Sequence, residues 1–165
     1  MKIRDICLMA VMGVVLNISK FVIAYIPNIE LVSLFIILFT LVFKWRAIGA
    51  VAVFVFLEGL LYGFGLWWIM YLYSWPILIL ITWIFRWLRS NISWAILSGI
   101  YGLSFGFLTS FVYFALGGFA TGVSYFIGGL TFDIAHCAGN FLLMLLLYNR
   151  LRPMLEKLNK SLIGA

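Results

Sequence analysis

Residues 26 to 46 read IPNIELVSLFIILFTLVFKWR: a neutral stretch holding a proline, then an apolar run, then the basic pair Lys44 and Arg46. The apolar part covers approximately residues 29 to 43, and Glu30 is its only charged residue. A hydrocarbon core about 30 Å thick calls for roughly 20 apolar residues per helical span, so this run is short for a full crossing but reads as one. The order neutral, apolar, basic is what matters, because it repeats along the chain.

Working outward in both directions, basic residues gather at Lys2 and Arg4, at Lys44 and Arg46, at Arg86 and Arg89, and from Arg150 through Arg152 and Lys157 to Lys160. They leave apolar segments of approximately 6 to 26, 29 to 43, 47 to 62, 67 to 85, 92 to 116 and 123 to 149. The other three connectors, IPNIE, YGFGLWW and GGFATGVSY, carry no Lys or Arg. By the positive-inside rule the basic clusters are cytoplasmic and the neutral connectors face outward. The expectation is an all-α membrane protein with six transmembrane helices and both termini cytoplasmic. Of the 11 basic residues, only Lys20 falls outside the scheme.

Composition agrees. Hydrophobic residues make up 66% of the 165 positions and charged residues 10%, against about a quarter charged in soluble domains. The whole chain, 1 to 165, is read as a single integral-membrane domain. The apolar run after Lys2 and Arg4 is read as a membrane helix, not a cleavable signal, since it continues through Asn17 and Lys20 with no small-x-small site. Cys7 and Cys137 read as small buried hydrophobes. In the tail, RLRPMLEKLNKSL (150 to 162) aligns Leu151, Met154, Leu155 and Leu158 on one stripe, which predicts a short interfacial helix at the inner surface against anionic lipid.

Function is sought where polarity is expensive. A charge at mid-bilayer costs at least about 2.5 kcal/mol on insertion scales, which makes intramembrane ionisable residues candidates by default. Here they are Lys20, Glu30, Glu58 and Asp133, with Asn17, His136 and Asn140 as neutral companions. Asp133, His136 and Asn140 stand at i, i+3 and i+7 and share one helix face, as do Asn17 with Lys20, Glu58 with Tyr62, and Trp67 with Tyr71. If these faces converge they enclose a polar pocket beneath the neutral connectors, roofed by the aromatic stretch YGFGLWWIMYLYSWP (62 to 76) and by Tyr125. Such a mix of rings and a few placed polar groups suits a small-molecule site.

Plainer readings stand beside this one. Trp67, Trp68 and Tyr73 fit an interfacial aromatic belt. Lys20 pairing with Glu30 or Glu58 would neutralise charge and pin helices, and Asp133 with His136 fits a packing hydrogen bond. Glu58 is followed by Gly59 and Gly63, which allow close backbone approach. Acid and base chemistry by Asp, Glu and His136 is the main rival class, but no HExxH, GxSxG, Cys/His metal set or phosphate-binding glycine loop completes a constellation. The chain is therefore expected not to be an enzyme, and no cofactor, metal or nucleic-acid partner is expected. A ligand-free structural subunit is the third class. No internal repeat of the kind that supports alternating access is evident, and no ATP-binding motif is present, which favours a binding subunit that draws energy from partners.

The stretches IPNIELVSLFIILFTLVF (26 to 43), EGLLYGFGLWWIMYLYSWP (58 to 76) and GGLTFDIAHCAGNF (128 to 141) resemble the substrate-binding S-components of energy-coupling factor (ECF) transporters, over almost the whole chain. The resemblance implies capture of a vitamin from outside, followed by association with a transmembrane coupling subunit and two cytoplasmic ATPases. It also implies a docking surface on the first helix built on small residues, here Ala10 and Val14 with Gly13 beside them, where Val14 departs from the small-xxx-small pattern. Among S-components the sequence is most similar to the cobalamin-specific group, through Glu30, YGFGLWW and FDIAH. On that reading Asn28, Glu30, Asp133 and Asn140 meet ligand amides, and Glu58, Tyr62, Trp67, Trp68, Tyr71, Tyr125 and His136 complete the site. The same chemistry equally suits pyridoxine or a hydroxymethylpyrimidine.

Overall fold

The computed structural model describes residues 2–22 and 29–163. Among them the chain is helical, without strands, in the order α1 (Ile3–Val22), α2 (Val32–Phe43), α3 (Arg46–Tyr62), α4 (Leu66–Ile84), α5 (Asn91–Leu103) and α6 (Phe105–Ile163). Asn28 lies outside the described residues.

The apolar run between Ile29 and Phe43 becomes the central post. Ten of the twelve residues of α2 are buried, and it packs against α1, α3, α4 and α6. A helix apolar all round belongs inside. Of its two buried hydroxyls, that of Thr40 donates back to the Ile36 carbonyl at 2.7 Å, which lets a threonine sit there without a partner from another helix. At about 18 Å α2 is shorter than a hydrocarbon core. Among the described residues three stretches are long and apolar enough to cross a membrane: Ile3–Val22, Leu66–Ile84 and the Asn91–Leu162 run.

Helix α1 lies along α3, and two glycines allow the approach. A Cβ at Gly13 would sit 2.6 Å from the Val53 side chain and 2.9 Å from the Ala50 carbonyl, and one at Gly49 would sit 2.1 Å from the Met9 sulfur. Gly13 is therefore occupied within the chain, which corrects its assignment to a partner-docking surface. Ala10 and Val14 do remain on the outward face of α1.

Helix α6 is a hairpin, not a single rod. Gly118, at φ 76° and ψ −178°, has a backbone conformation that essentially only glycine adopts. The limb 119–163 returns antiparallel along the limb 105–117 and α5, which meet at Ser104 with little change of course. Trp94 stacks on Tyr148 at 6.4 Å, and a Cβ at Gly102 would meet the His136 carbonyl at 2.8 Å. The tail does not form a separate interfacial helix. It extends α6 without interruption, Leu155 is buried, Met154 and Leu158 are exposed, and the Asn159 side-chain amide donates to the Val42 carbonyl at 3.2 Å. The predicted apolar stripe is thus split between core and surface, because an uninterrupted rod carries the tail back against the end of α2.

These packings segregate charge. The start of α1 meets the start of α3 through an Arg46 Nε to Asp5 Oδ1 ion pair of 2.9 Å. Lys44 lies beside Trp83 near the end of α4, and the tail of α6 reaches the end of α2. The basic clusters therefore gather at one end of the bundle, and Lys20 lies at the other.

Candidate functional site

At the end away from the basic clusters the helices open into a cleft of about 690 Å³. Its position follows from chain direction. The last turn of α1, residues 29 and 30 ahead of α2, the first turns of α4 and the facing sides of the two α6 limbs come together there.

One wall carries a completed charge cluster. Glu58, on α3, is fully buried. Its carboxylate accepts from the Asn17 amide at 2.9 Å and from the Lys20 ammonium in a close ion pair. The ammonium also lies 5.4 Å from the Tyr62 ring centroid and 5.5 Å from that of Tyr71, a range in which a ring face attracts a cation. Of the two carboxylates open to Lys20 on the sequence, packing selects Glu58, and Lys20 then shows part of its side chain to the cleft.

The opposite wall is incomplete. Asp133 Oδ1 accepts from the Gly106 amide at 2.9 Å, whereas Oδ2 is buried with no partner. Gly106 is required for this contact, since a Cβ there would stand 2.2 Å from Asp133 Oδ2. His136 packs edge-on against Phe105 at 5.2 Å. Its Nε2 lies 3.6 Å from Glu30 Oε1, too long for a hydrogen bond, and has no other partner. Asp133 is 4% exposed and His136 7%. Among the described residues nine buried side-chain polar atoms lack a partner, and these two are the ones that stand in the cleft wall.

Of the residues singled out from sequence, Glu30, Tyr71, Tyr125, Asp133 and His136 line the cleft together with Lys20. Glu58 stands behind Lys20 and does not line it. Tyr62 and Trp67 form an edge-to-face chain leading to Tyr71, with centroids 6.5 and 5.4 Å apart, and support that ring from outside. Trp68 turns toward α3, where its indole donates to the Val55 carbonyl at 2.9 Å, with Phe64 edge-on at 5.1 Å. Asn140 is buried between α5 and α6, its amide 3.4 Å from the Ser98 carbonyl. Tyr62, Trp67, Trp68 and Asn140, expected as ligand contacts, do not line the cleft.

Sequence reasoning missed Ile29, Phe105, Gly106, Thr109, Ser124, Gly128, Gly129 and Phe132, all of which line the cleft. A signal for some of them was present. Tyr125, Gly129, Phe132 and His136 recur at three- and four-residue spacing, one face of the returning limb. Gly106 and Thr109 had no such signal, because their place depends on the hairpin. Tyr125 is itself stacked on Tyr113 at 4.0 Å, which fixes its ring across the two limbs.

Among the described residues no three metal-ligating side chains converge. The cleft instead offers two carboxylates, an imidazole, a partly neutralised ammonium and aromatic faces, a set suited to binding and orienting a polar ring. Comparison with family models, curated proteins and solved structures finds no match for the chain.

Proposed function

We propose that the chain is a solute-capturing membrane subunit of the ECF S-component type, crossing a prokaryotic cell membrane six times with both termini cytoplasmic. The observation that carries this reading is the polar cleft at the bundle end opposite the basic clusters. With the basic end held inside, the cleft opens to the exterior. A preformed cleft of this size lies within the range of small-molecule sites. The exposed Ala10 and Val14 on α1 are the face offered to a transmembrane coupling subunit, and two cytoplasmic ATPases supply the energy for release. The chain itself performs no chemistry.

A vitamin is the expected cargo, with cobalamin or a related corrinoid suggested by the sequence resemblance. A small-ring vitamin such as pyridoxine or a hydroxymethylpyrimidine is a second reading, and a specific observation favours it. Neither Trp67 nor Trp68, which would extend a platform for a large flat ligand, lines the cleft, Trp68 being turned to the Val55 carbonyl, so the lined space is that of a compact molecule.

The test is to purify the chain from cells grown with a vitamin mixture and identify what co-purifies by mass spectrometry. A retained vitamin supports capture. An altered lipid indicates catalysis, and an empty preparation that also binds none of the vitamins on titration indicates a scaffold.

A further inference from the structure

Charge in the cleft does not balance. Among the described lining residues Lys20 is the one lysine or arginine, and its charge is already matched by Glu58, which lies behind the wall, fully buried and also bonded to Asn17. Residues 23–28 contain no charged side chain. What faces the cleft is then the carboxyl groups of Glu30 and Asp133 beside the His136 imidazole, two acid groups against one base. Its open valences are of the same kind. Asp133 Oδ2 accepts from nothing although Asp133 is only 4% exposed, and Glu30 Oε1 lies 3.6 Å from His136 Nε2 without bonding it. A carboxyl oxygen without a donor is completed by a ligand that brings one. Leaving such an acceptor buried and unsatisfied is costly.

From this juxtaposition we infer that the cleft selects an aminated, protonatable heteroaromatic ring, whose cationic N–H edge is held by Asp133 and Glu30 while its face lies among Tyr71, Phe105 and Phe132. Charge-assisted hydrogen bonds to a carboxylate are the strong ones, and a ring cation gains further from aromatic faces. The inference rests on the capture reading and narrows it: anionic vitamins are disfavoured by the two carboxyl groups, and neutral ones offer Asp133 only an uncharged, weaker donor. Lys20, held by Glu58, takes no part in recognising an anion.

The experiment measures binding to the purified full chain in detergent by titration calorimetry. The probes are 4-amino-5-hydroxymethyl-2-methylpyrimidine, its 4-hydroxy analogue, biotin as an anion, and cobalamin. The amino compound is expected to bind roughly tenfold or more tightly than the hydroxy analogue, and Asp133→Asn and Glu30→Gln are each expected to weaken it by a similar factor, as loss of a charged hydrogen bond does. Glu30 is less buried than Asp133, so Glu30→Gln keeps the test valid if Asp133→Asn folds poorly. Equal affinity for the two pyrimidines, or tight binding of biotin, overturns the inference. Tight cobalamin binding that is unchanged in both variants overturns it while leaving capture standing. No binding of any probe, nor of any vitamin in the mixture, overturns both.

Discussion

The two walls of the cleft hold similar ingredients and differ in whether they are finished. On one, Glu58, Asn17 and Lys20 satisfy one another. On the other, Glu30, Asp133 and His136 stand close enough to interact and leave acceptors and a ring nitrogen unused. A buried polar cluster completed from within pins helices, here α1 to α3. One left incomplete beside a void is set for a molecule that completes it. Removing a member of the first should therefore unfold the protein, and disturbing the second should cost mainly binding.

The largest expected effect is Glu58→Leu. Breaking a buried pair from one side costs about 3 kcal/mol or more because the abandoned groups stay buried, and a thermal unfolding series in detergent should register it. Adding Lys20→Met should recover most of the loss, since an apolar pair of similar volume is often neutral or better. If the single variant is as stable as the parent, the finished wall has no structural role and the contrast fails.

Next comes Gly106→Ala. The new methyl group would press on Asp133 Oδ2 at 2.2 Å, and overpacking of this kind costs about 1–3 kcal/mol. Ligand affinity should fall together with stability, because the carboxylate is displaced; intact binding would show that Asp133 is not a ligand contact.

Tyr71→Ala and Trp67→Ala sharpen the boundary of the site. Tyr71 lines the cleft and its truncation should cost about 1 kcal/mol or more in binding. Trp67 only supports it edge-on, so its truncation should cost less than half as much. Equal losses in calorimetry would move Trp67 back into the site.

The smallest effect is expected far from both walls. Lys44 turns the chain between α2 and α3 at φ 58° and ψ −125°, where a side chain is strained by about 1–3 kcal/mol. Lys44→Gly relieves this but loses about 1 kcal/mol to backbone entropy, so a net gain of about 0.5 kcal/mol in stability is expected, with binding unchanged. A change in binding would reveal coupling between the two ends.

Much of the helical layout was legible because it depends on local rules. Glycine and proline in the neutral connectors and charges in the basic ones bracket the apolar runs, and helix boundaries fall near them. The i, i+3 spacing of Asp133 and His136 did place both on the cleft face. The same rule carried Asn140 with them, and there it misled: one turn further along, that face of the limb meets the Ser98 carbonyl of α5 instead of open space. Gly13 shows the complementary failure. A small residue on an apolar helix permits close approach, but the pattern does not say to which neighbour, and α3 takes the place expected for a partner.

The amino-acid sequence by itself determined that this chain is helical and apolar, where its helices pause, and that its basic residues cluster in alternate connectors, because hydropathy, spacing and charge are properties of each segment alone. Tertiary structure decided that Lys20 pairs with Glu58 and not with Glu30, that Trp68 turns inward while Tyr71 faces the void, and that Gly106 cradles Asp133. Those outcomes depend on the rotation of each helix about its axis relative to its neighbours and on the hairpin at Gly118, which only the packing of all the helices together resolves.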